Sequence, residues 1–451
     1  MSVFSTIREL FISGDNRTKA VRLNSIYSVI IKGVSVLITF ALVPLTIGYV
    51  SSELYGIWLT LSSIIHWMNY FDVGFSLGLR NKLVDALAAD DMPKAKAYVS
   101  TTYVLMALIF FPLGILLFLL APAIDWCSLL KVSAEHNLTI VKAVQLLVAF
   151  NSVQMTVNTL SAVVAAHQKV ALSSLFGVIG QFISLIVIFV LTKTTQSSLI
   201  ILCAVFAGAP LITYLISSVI LYYGNLRNVR PATRSVDFSL IKDLWSLGWK
   251  FFVIQIQLVV MYQMTNLLIS NISGPESVTE FNVAYKYLSL GLMLMTILVG
   301  PLWPAFADAY VKKDYEWMKS TYKKFIKIFL LLSIAQCVLL AVSGWFYRLW
   351  VGDEVPVSFI LSASLSVYLL AYMFVTMHTY MLNGIGSLNL QVWMYLIGGV
   401  IHIPLSLFLG RYLGALSVVV SLCSIHLVYC FLVRRQMSLL LSDKAYGFWA
   451  K

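Results

Sequence analysis

The stretch from residue 199 to residue 223, LIILCAVFAGAPLITYLISSVILYY, has no charged side chain in 25 residues. A helix rises about 1.5 Å per residue, so about 20 apolar residues cross the roughly 30 Å hydrocarbon core of a bilayer. The stretch does not alternate polar and apolar residues with the period of a membrane β-strand. It therefore predicts a transmembrane helix and makes the chain an integral membrane protein.

Eleven further apolar runs of similar length lie on both sides of this one. Hydrophobic residues make up 60% of the 451 residues and charged residues only 11%, a composition typical of polytopic membrane proteins. We predict an all-α polytopic membrane protein with about 12 transmembrane helices. The predicted spans are Asn24–Tyr49, Tyr55–Leu79, Tyr98–Ala123, Leu138–Val164, Ala171–Thr192, Leu199–Tyr223, Ser246–Ser270, Phe281–Ala307, Phe325–Trp350, Phe359–Leu382, Leu390–Leu409 and Gly414–Val433.

The lysines and arginines outside the spans fall mostly on one side. With the N-terminus inside, 23 of the 31 lie in cytoplasmic segments and four lie outside. Cytoplasmic loops of membrane proteins carry this excess, so we predict that both termini are cytoplasmic. The net charge of +12 then reflects topology and attraction to anionic membrane lipids, and we predict no nucleic-acid partner.

The cysteines and histidines do not indicate a metal site, a cofactor or a disulfide framework. Of the five cysteines, four lie in predicted spans and Cys127 is alone in an outer loop. The six histidines lack metal-ligand spacing. We expect no metal, no cofactor and no catalytic residues, and we predict that the protein is not an enzyme.

Two amphipathic loops indicate an internal repeat. Aligning Asp91 with Asp314 also aligns Lys96 with Lys319, and each loop follows an even-numbered span. Six helices per repeat would give both halves the same orientation, a parallel repeat of the kind found in transporters; chance similarity of the loops is the alternative. The predicted domains are an N-terminal six-helix bundle, 1–223, and a C-terminal six-helix bundle, 224–451, which begins with a cytoplasmic linker, 224–245.

Polar residues form stripes on spans one, two, seven and eight, which occupy equivalent places in the two halves. Lipid cannot satisfy such helix faces, so they are expected to line a central cavity between the bundles. The predicted polar lumen residues are Ser35, Thr39, Asn69, Gln255, Asn266 and Ser289.

Four lysines lie inside predicted spans, where a charge is costly and usually functional. Lys32 and Lys286 each belong to a polar stripe. Lys142 lies near the outer end of span four, where a lysine can snorkel to the interface, and Lys250 fits either role. Arg80 either lines the lumen or anchors the cytoplasmic interface. The predicted cationic, substrate-binding lumen consists of Lys32, Lys286, Lys250 and Arg80.

Two titratable residues share the stripe of span two, namely His66 and Asp72. They are the candidates for ion coupling or gating. The alternative is that each only pairs with a neighbour to support helix packing.

A motif at the start of the chain carries a family resemblance. Residues 55–60 read YGIWLT, residues 71–82 read FDVGFSLGLRNK, and a loop ALAADD follows at 86–91. The motif resembles the bacterial O-antigen flippases. These are polysaccharide transporters of the multidrug/oligosaccharidyl-lipid/polysaccharide exporter superfamily, which also contains MATE multidrug exporters and the lipid II flippase.

The resemblance implies two six-helix bundles around a central cavity, alternating access and a location in the bacterial inner membrane. It also implies a cargo, an oligosaccharide linked to a polyprenyl diphosphate of the undecaprenyl type, as used in O-antigen and lipopolysaccharide biosynthesis. Polysaccharide-assembly proteins would be its partners. The identity of the sugars does not follow from it.

Rival functions differ in the residues that they require. A MATE-type ion-coupled multidrug exporter shares the fold but needs buried carboxylates for cationic drugs, and only Asp72 lies at comparable depth. A membrane polysaccharide polymerase needs a sizeable outer loop, whereas the longest here is Ile124–Asn137. A scaffold or channel does not explain two equivalent halves with polar stripes.

Overall fold

The computed structural model describes residues 16–68, 74–167, 169–244, 264–300 and 302–450, and within these ranges the regular secondary structure is helical. The helices are α1 Asn16–Val50, α2 Ser52–His66, α3 Phe75–Ala88, α4 Met92–Leu120, α5 Trp126–Leu130, α6 Asn137–Val157, α7 Thr159–Ala166, α8 Val170–Thr194, α9 Leu199–Tyr223, α10 Thr265–Ser273, α11 Pro275–Leu288, α12 Leu290–Val299, α13 Leu302–Val311, α14 Tyr315–Val351, α15 Phe359–Ile385, α16 Asn389–Leu413 and α17 Leu416–Leu441. Short 3-10 turns connect several of them.

Nine helical segments in the described part of the chain are long and apolar enough to cross a membrane. A tenth is formed if α11 and α12, which are bent by 48° relative to each other, count as one broken span. The predicted run 199–223 is helix α9 with the same bounds. The all-α, multi-pass membrane fold predicted from the sequence is therefore confirmed.

The eighth predicted span, Phe281–Ala307, is not one continuous helix. Helix α11 ends at Leu288, α12 begins at Leu290, and α13 begins at Leu302. At the first break the Ser289 hydroxyl donates a hydrogen bond to the Lys286 carbonyl oxygen (3.4 Å). Such serine bonds compete with the helix hydrogen bonds and favour bends. Hydropathy predicts the position of this span but not its breaks, because it does not record local hydrogen bonds.

Spans two and seven are described only in part. Helix α2 ends at His66 and α3 begins at Phe75, with residues 69–73 outside the described ranges. Span seven is described from residue 264 onward, where α10 begins at Thr265. The total of twelve spans therefore stays a prediction.

The chain divides into two compact units. The first comprises Met1–Tyr49, Ile65–Ile124 and Leu138–Val253. In this unit α8 packs along α9, and α3 packs against α4 and α7. The turns after α9 fold back onto α4, where the Asp237 backbone N–H donates to the Thr101 hydroxyl (2.9 Å).

The second unit comprises Val50–Ile64, Asp125–Asn137 and Ile254–Lys451. Its core is built on α17, which packs against α15 and α16, while α13 and α12 pack on α15. Most of α2 belongs to this unit although it precedes residue 223 in the chain. The division into bundles 1–223 and 224–451 stays a prediction.

The two loops that align in the sequence have the same backbone geometry. Asp90 and Lys313 are both left-handed, with φ of 55° and 56°. The next residue in each loop, Asp91 or Asp314, is the N-cap of α4 or α14 and accepts a hydrogen bond of 3.0 Å from the backbone N–H three residues later. Its own N–H donates to the carbonyl oxygen five residues earlier in both loops, at 3.0 and 2.9 Å. The sequence alignment of Asp91 with Asp314 thus pairs two turns that have the same backbone conformation and the same N-cap hydrogen bond.

Candidate functional site

Three helices of the second unit, α2, α10 and α11, carry five polar side chains in two hydrogen-bonded groups, Lys286 with Tyr55, and Asn282 with Asn266 and Ser63. We call this set the α2–α11 polar cluster: Tyr55, Ser63, Asn266, Asn282 and Lys286. Asn282 and Lys286 are four residues apart on α11 and therefore share one helix face. Apolar spans seldom hold such sets unless the polar groups satisfy one another or meet a ligand.

Lys286 is a half-buried cation whose contact is an uncharged side chain. Its ammonium donates a hydrogen bond to the Tyr55 hydroxyl (2.9 Å), and Nζ lies 5.6 Å from the centroid of the same ring. The second distance permits a cation–π attraction. Among the residues that the structure describes, no carboxylate forms an ion pair with Lys286. An ammonium group has three N–H donors, so this arrangement leaves donors and a positive charge for an anion.

Two amides and a hydroxyl continue the cluster across the three helices. The Asn282 Nδ2 group donates to Asn266 Oδ1 (2.9 Å), and Asn266 Nδ2 donates to Ser63 Oγ (2.7 Å). The Ser63 hydroxyl donates in turn to the Leu59 carbonyl oxygen (2.9 Å). Because each group fixes the next, the hydrogen bonds hold the two amides in one orientation.

A close helix contact brings α2 to α11. Gly56 lies against the first turn of α11, where a Cβ atom would overlap the Pro275 carbonyl oxygen. Beside it the Thr279 hydroxyl donates to the Ser52 carbonyl oxygen (2.7 Å). Glycine allows this backbone approach because it has no side chain. Tyr55, next to Gly56 in the chain, is thereby held at the face of α11 that carries Lys286.

Of the remaining predicted residues on spans seven and eight, two lie within the described residues and two lie outside them. Asn266 is in the cluster, and Ser289 lies at the bend between α11 and α12, bonded to the Lys286 carbonyl oxygen. Lys250 and Gln255 lie outside the described residues. Of the predicted set, Lys286 and Asn266 thus lie on neighbouring helices of the second unit, where Lys286 bonds to Tyr55 and Asn266 bonds to Ser63 and Asn282.

In the first unit, three predicted residues lie on α1, namely Lys32, Ser35 and Thr39. Lys32 is exposed. The Ser35 hydroxyl donates to Gln181 Oε1 of α8 (2.7 Å), and the Thr39 hydroxyl donates to the Ser35 carbonyl oxygen (2.8 Å). These two hydroxyls are therefore satisfied within the unit. Gln181 was not predicted, although it is the one amide in the apolar run Ala171–Thr192.

Spans two and four supply the other predicted groups of this unit. His66 is exposed at the end of α2, and Arg80 is exposed on α3. Asn69 and Asp72 lie outside the described residues. Lys142 is exposed on α6. Assignment of these residues to a lumen stays a prediction.

Sequence reasoning missed Tyr55, Ser63 and Asn282 as site residues. A tyrosine near a span end is ordinarily an interfacial anchor, and serine is common in membrane helices. The sequence did carry a signal on α11, because Asn282 precedes Lys286 by one helix turn and therefore lies on the same helix face. Nothing in the local sequence of α2 says which helix its polar groups meet.

Comparisons with known proteins show the family and the fold of the chain. A family model described as "Polysaccharide biosynthesis protein" matches residues 21–310. A comparison with curated proteins found no match. The solved structures include a multidrug resistance MATE family transporter of the MOP superfamily in its inward-facing conformation, with 16% identity and a TM-score of 0.76, covering 93% of this chain and 100% of that one.

Two further structures show the same fold. An outward-facing MATE family transporter has 16% identity and a TM-score of 0.62 over 95% of this chain and 97% of its own. A MOP superfamily transporter from Pyrococcus furiosus, for which a reversed polarity of the binding pocket suggests a different function, has 17% identity and a TM-score of 0.61 over 94% and 96%. The chain belongs to the polysaccharide biosynthesis protein family, and its fold is that of the MATE transporters of the MOP superfamily.

Proposed function

We propose that the protein is a flippase that moves a polyprenyl-diphosphate-linked oligosaccharide from the cytoplasmic to the outer leaflet of the bacterial inner membrane by alternating access. The observation that carries the proposal is the Lys286 ammonium, which is half-buried and hydrogen-bonded to Tyr55 without an ion-pair partner among the described residues. Membership of a polysaccharide biosynthesis family supports a glycan cargo.

The chemistry of such a cargo explains why a cation is useful. Its polyprenyl tail stays in the bilayer, whereas its diphosphate and sugars need a polar path to replace lost hydration. A lysine is a suitable point charge for phosphate. Lys286 would hold the phosphate, Tyr55 would position the ammonium, and the amides of Asn266 and Asn282 would bind sugar hydroxyls. Lys32, Lys250 and Arg80 are proposed to add positive charge along the path.

The direction of transport also has an electrostatic basis. An inside-negative membrane potential favours outward movement of an anion by about 2.3 kcal/mol per charge per 100 mV. A diphosphate therefore gains from the potential without a coupled ion. His66 and Asp72 remain the proposed groups for coupling or gating.

The charge at the site favours this proposal over multidrug export. The fold is shared with MATE transporters, so the fold does not distinguish the two. A cationic drug is repelled by an unpaired lysine, whereas a phosphate is attracted to it. For the Pyrococcus furiosus MOP superfamily transporter, a reversed polarity of the binding pocket suggests a different function, which supports the use of pocket charge to distinguish functions within this fold.

Deletion of the gene in its native host tests the proposed function. We expect lipid-linked oligosaccharide to accumulate on the cytoplasmic leaflet and surface polysaccharide to disappear. The leaflet is read with an impermeant lectin or glycosidase added to spheroplasts and to inverted vesicles. Unchanged surface glycan together with altered tolerance to cationic drugs would overturn the proposal in favour of a multidrug exporter.

Complementation of that strain with Lys286→Ala tests the site itself. We expect glycan export to fall at least about tenfold, because loss of one phosphate contact of about 1.4 kcal/mol has this effect. Lys286→Arg keeps the charge and is expected to retain part of the activity. Lys142→Ala, which removes an exposed lysine of another span, is the matched control and should export normally. Equal export by the Lys286→Ala and Lys142→Ala proteins at equal membrane levels would rule out a role for Lys286 in transport.

A further inference from the structure

A second basic site lies in the second unit, away from the α2–α11 polar cluster. The first turns of α14 and the last turns of α17 line an open pocket of about 370 Å³. We call it the α14–α17 basic pocket. Its polar lining consists of Lys319, Tyr322, Lys323, Arg434, Ser438 and Ser442. The volume falls in the range of about 300–1,000 Å³ found for small-molecule sites.

The pocket concentrates positive charge without a matching carboxylate. Three of its lining side chains, Lys319, Lys323 and Arg434, are cationic, and none forms an ion pair within the part of the chain that the structure describes. The adjacent Asp443 accepts a hydrogen bond from the Tyr315 hydroxyl (3.1 Å). Arginine and lysine set around one cavity form an arrangement suited to a phosphate group.

Two hydroxyl groups that line the pocket are held in place by hydrogen bonds within the protein. The Tyr322 hydroxyl is hydrogen-bonded to His378 Nε2 of α15 (3.0 Å), which holds the ring against the core. The Ser442 hydroxyl donates to the Ser438 carbonyl oxygen (2.7 Å). The lining therefore combines cations that reach a ligand with side chains that are fixed by the protein.

Two rows of exposed apolar side chains, one on α14 and one on α17, run from the pocket toward the middle of the helices; we call them the apolar tracks. On α14, Leu330 and Ile334 lie on the helix face of Lys323 and are 55% and 64% exposed. On α17, Leu427 and Phe431 precede Arg434 and are 52% and 70% exposed. Because α14 enters the bilayer as its residue numbers rise and α17 as they fall, both tracks extend from the pocket into the apolar region. Such surface is what acyl chains cover.

We propose that the α14–α17 basic pocket binds the phosphate group of an anionic phospholipid, whose acyl chains lie along the apolar tracks of α14 and α17. The headgroup meets three cations and the chains meet exposed leucine, isoleucine and phenylalanine side chains. The site is separate from the proposed cargo site, so its test does not depend on transport.

Lipid titration of the full-length protein in a mild detergent tests the proposal. The probes are phosphatidylglycerol, phosphatidylcholine and inorganic phosphate, and bound lipid is counted by native mass spectrometry. We expect one phosphatidylglycerol molecule to be retained per chain in preference to phosphatidylcholine. The variant Lys319→Gln/Lys323→Gln/Arg434→Gln should bind it at least about tenfold more weakly, since each cation near a lipid phosphate contributes about a fivefold factor.

A second triple variant controls for general surface charge. Lys324→Gln/Arg435→Gln/Lys444→Gln removes three exposed cations from the same helix ends, none of which lines the pocket, and should bind normally. Equal losses in both triples, or retention by the pocket triple, would overturn the proposal. Inorganic phosphate that displaces the lipid at similar concentration would show a free-anion site instead. Lys323→Gln alone gives the same comparison if the triple variant fails to insert.

Discussion

At the scale of single residues, the α2–α11 polar cluster shows how polar groups are accommodated in apolar helices. Lys286 is 231 residues from Tyr55 in the chain, and Asn266 is 203 residues from Ser63. The sequence indicates Lys286 and Asn266, because a charge or amide in an apolar run is costly. It does not indicate their partners, since a hydroxyl on another helix becomes a partner only through packing.

A double-mutant cycle between Ser63 and Asn266 measures this packing. We expect the Ser63→Ala and Asn266→Ala changes to be coupled by about 0.6 kcal/mol, the average for hydrogen bonds between membrane helices, for which the maximum is about 1.7 kcal/mol. The measurement is the free energy of unfolding in mixed detergent micelles. A cycle between Ser63 and Asn271, an exposed residue of α10 that bonds to the Leu129 carbonyl oxygen, is the control and should show no coupling. Coupling near zero in the first cycle would show that the hydrogen bond adds no stability.

At the scale of helices, hydropathy predicts the spans well and their irregularities poorly. Run 199–223 has the bounds of α9, whereas Phe281–Ala307 is broken at Ser289 and before Leu302. Hydropathy averages over about five turns, so it detects the length of an apolar segment. A bend involves local bonds that this average does not record, such as that from the Ser289 hydroxyl to the Lys286 carbonyl oxygen.

The contact of α2 with α11 gives a prediction for one glycine. Gly56→Ala should destabilise the protein by about 1–3 kcal/mol, because the added methyl group overlaps the Pro275 carbonyl oxygen and forces the helices apart. The displacement should also separate Tyr55 from Lys286 and reduce export. Thermal unfolding in detergent checks the first effect and glycan export the second.

The matched control for this change is Gly177→Ala. Gly177 is also in a membrane helix, α8, but a Cβ atom there has no neighbour within 4 Å. It should be neutral or slightly stabilising, since alanine favours helix over glycine by about 1 kcal/mol. Equal unfolding temperatures for both variants would contradict the close contact at Gly56.

At the scale of the whole molecule, the distribution of charge and the similarity of two loops are the features of the sequence that predict its organisation. The excess of lysine and arginine on one side predicts the orientation. The paired turns at Asp91 and Asp314 have equal geometry, which supports an internal repeat. The two compact units nevertheless do not follow the order of the chain, since two segments from its first half, Val50–Ile64 and Asp125–Asn137, belong to the second unit.

Cysteine labelling tests the predicted orientation. We expect an impermeant maleimide added to intact spheroplasts to label Cys127, which lies in the predicted outer loop, and Cys127→Ser to abolish the signal. Burial, together with the nearby Asp125 carboxylate, raises the pKa of the Cys127 thiol above its ordinary value. The thiolate is the reactive form, so labelling should be slow at pH 7 and accelerate as the pH rises through the raised pKa. Labelling of Cys127 only in inverted vesicles would reverse the topology.

The sequence by itself determined the helical membrane class, most span positions and the family motif. These properties depend on composition and on periodicity within one segment, which hydrophobic burial translates directly into structure. Tertiary structure alone decided that Lys286 meets Tyr55, that Asn266 meets Ser63, and that Lys319 and Arg434 line one pocket. Those pairings join residues far apart in the chain, and they depend on the fit of helix surfaces, such as that at Gly56, which local patterns do not encode.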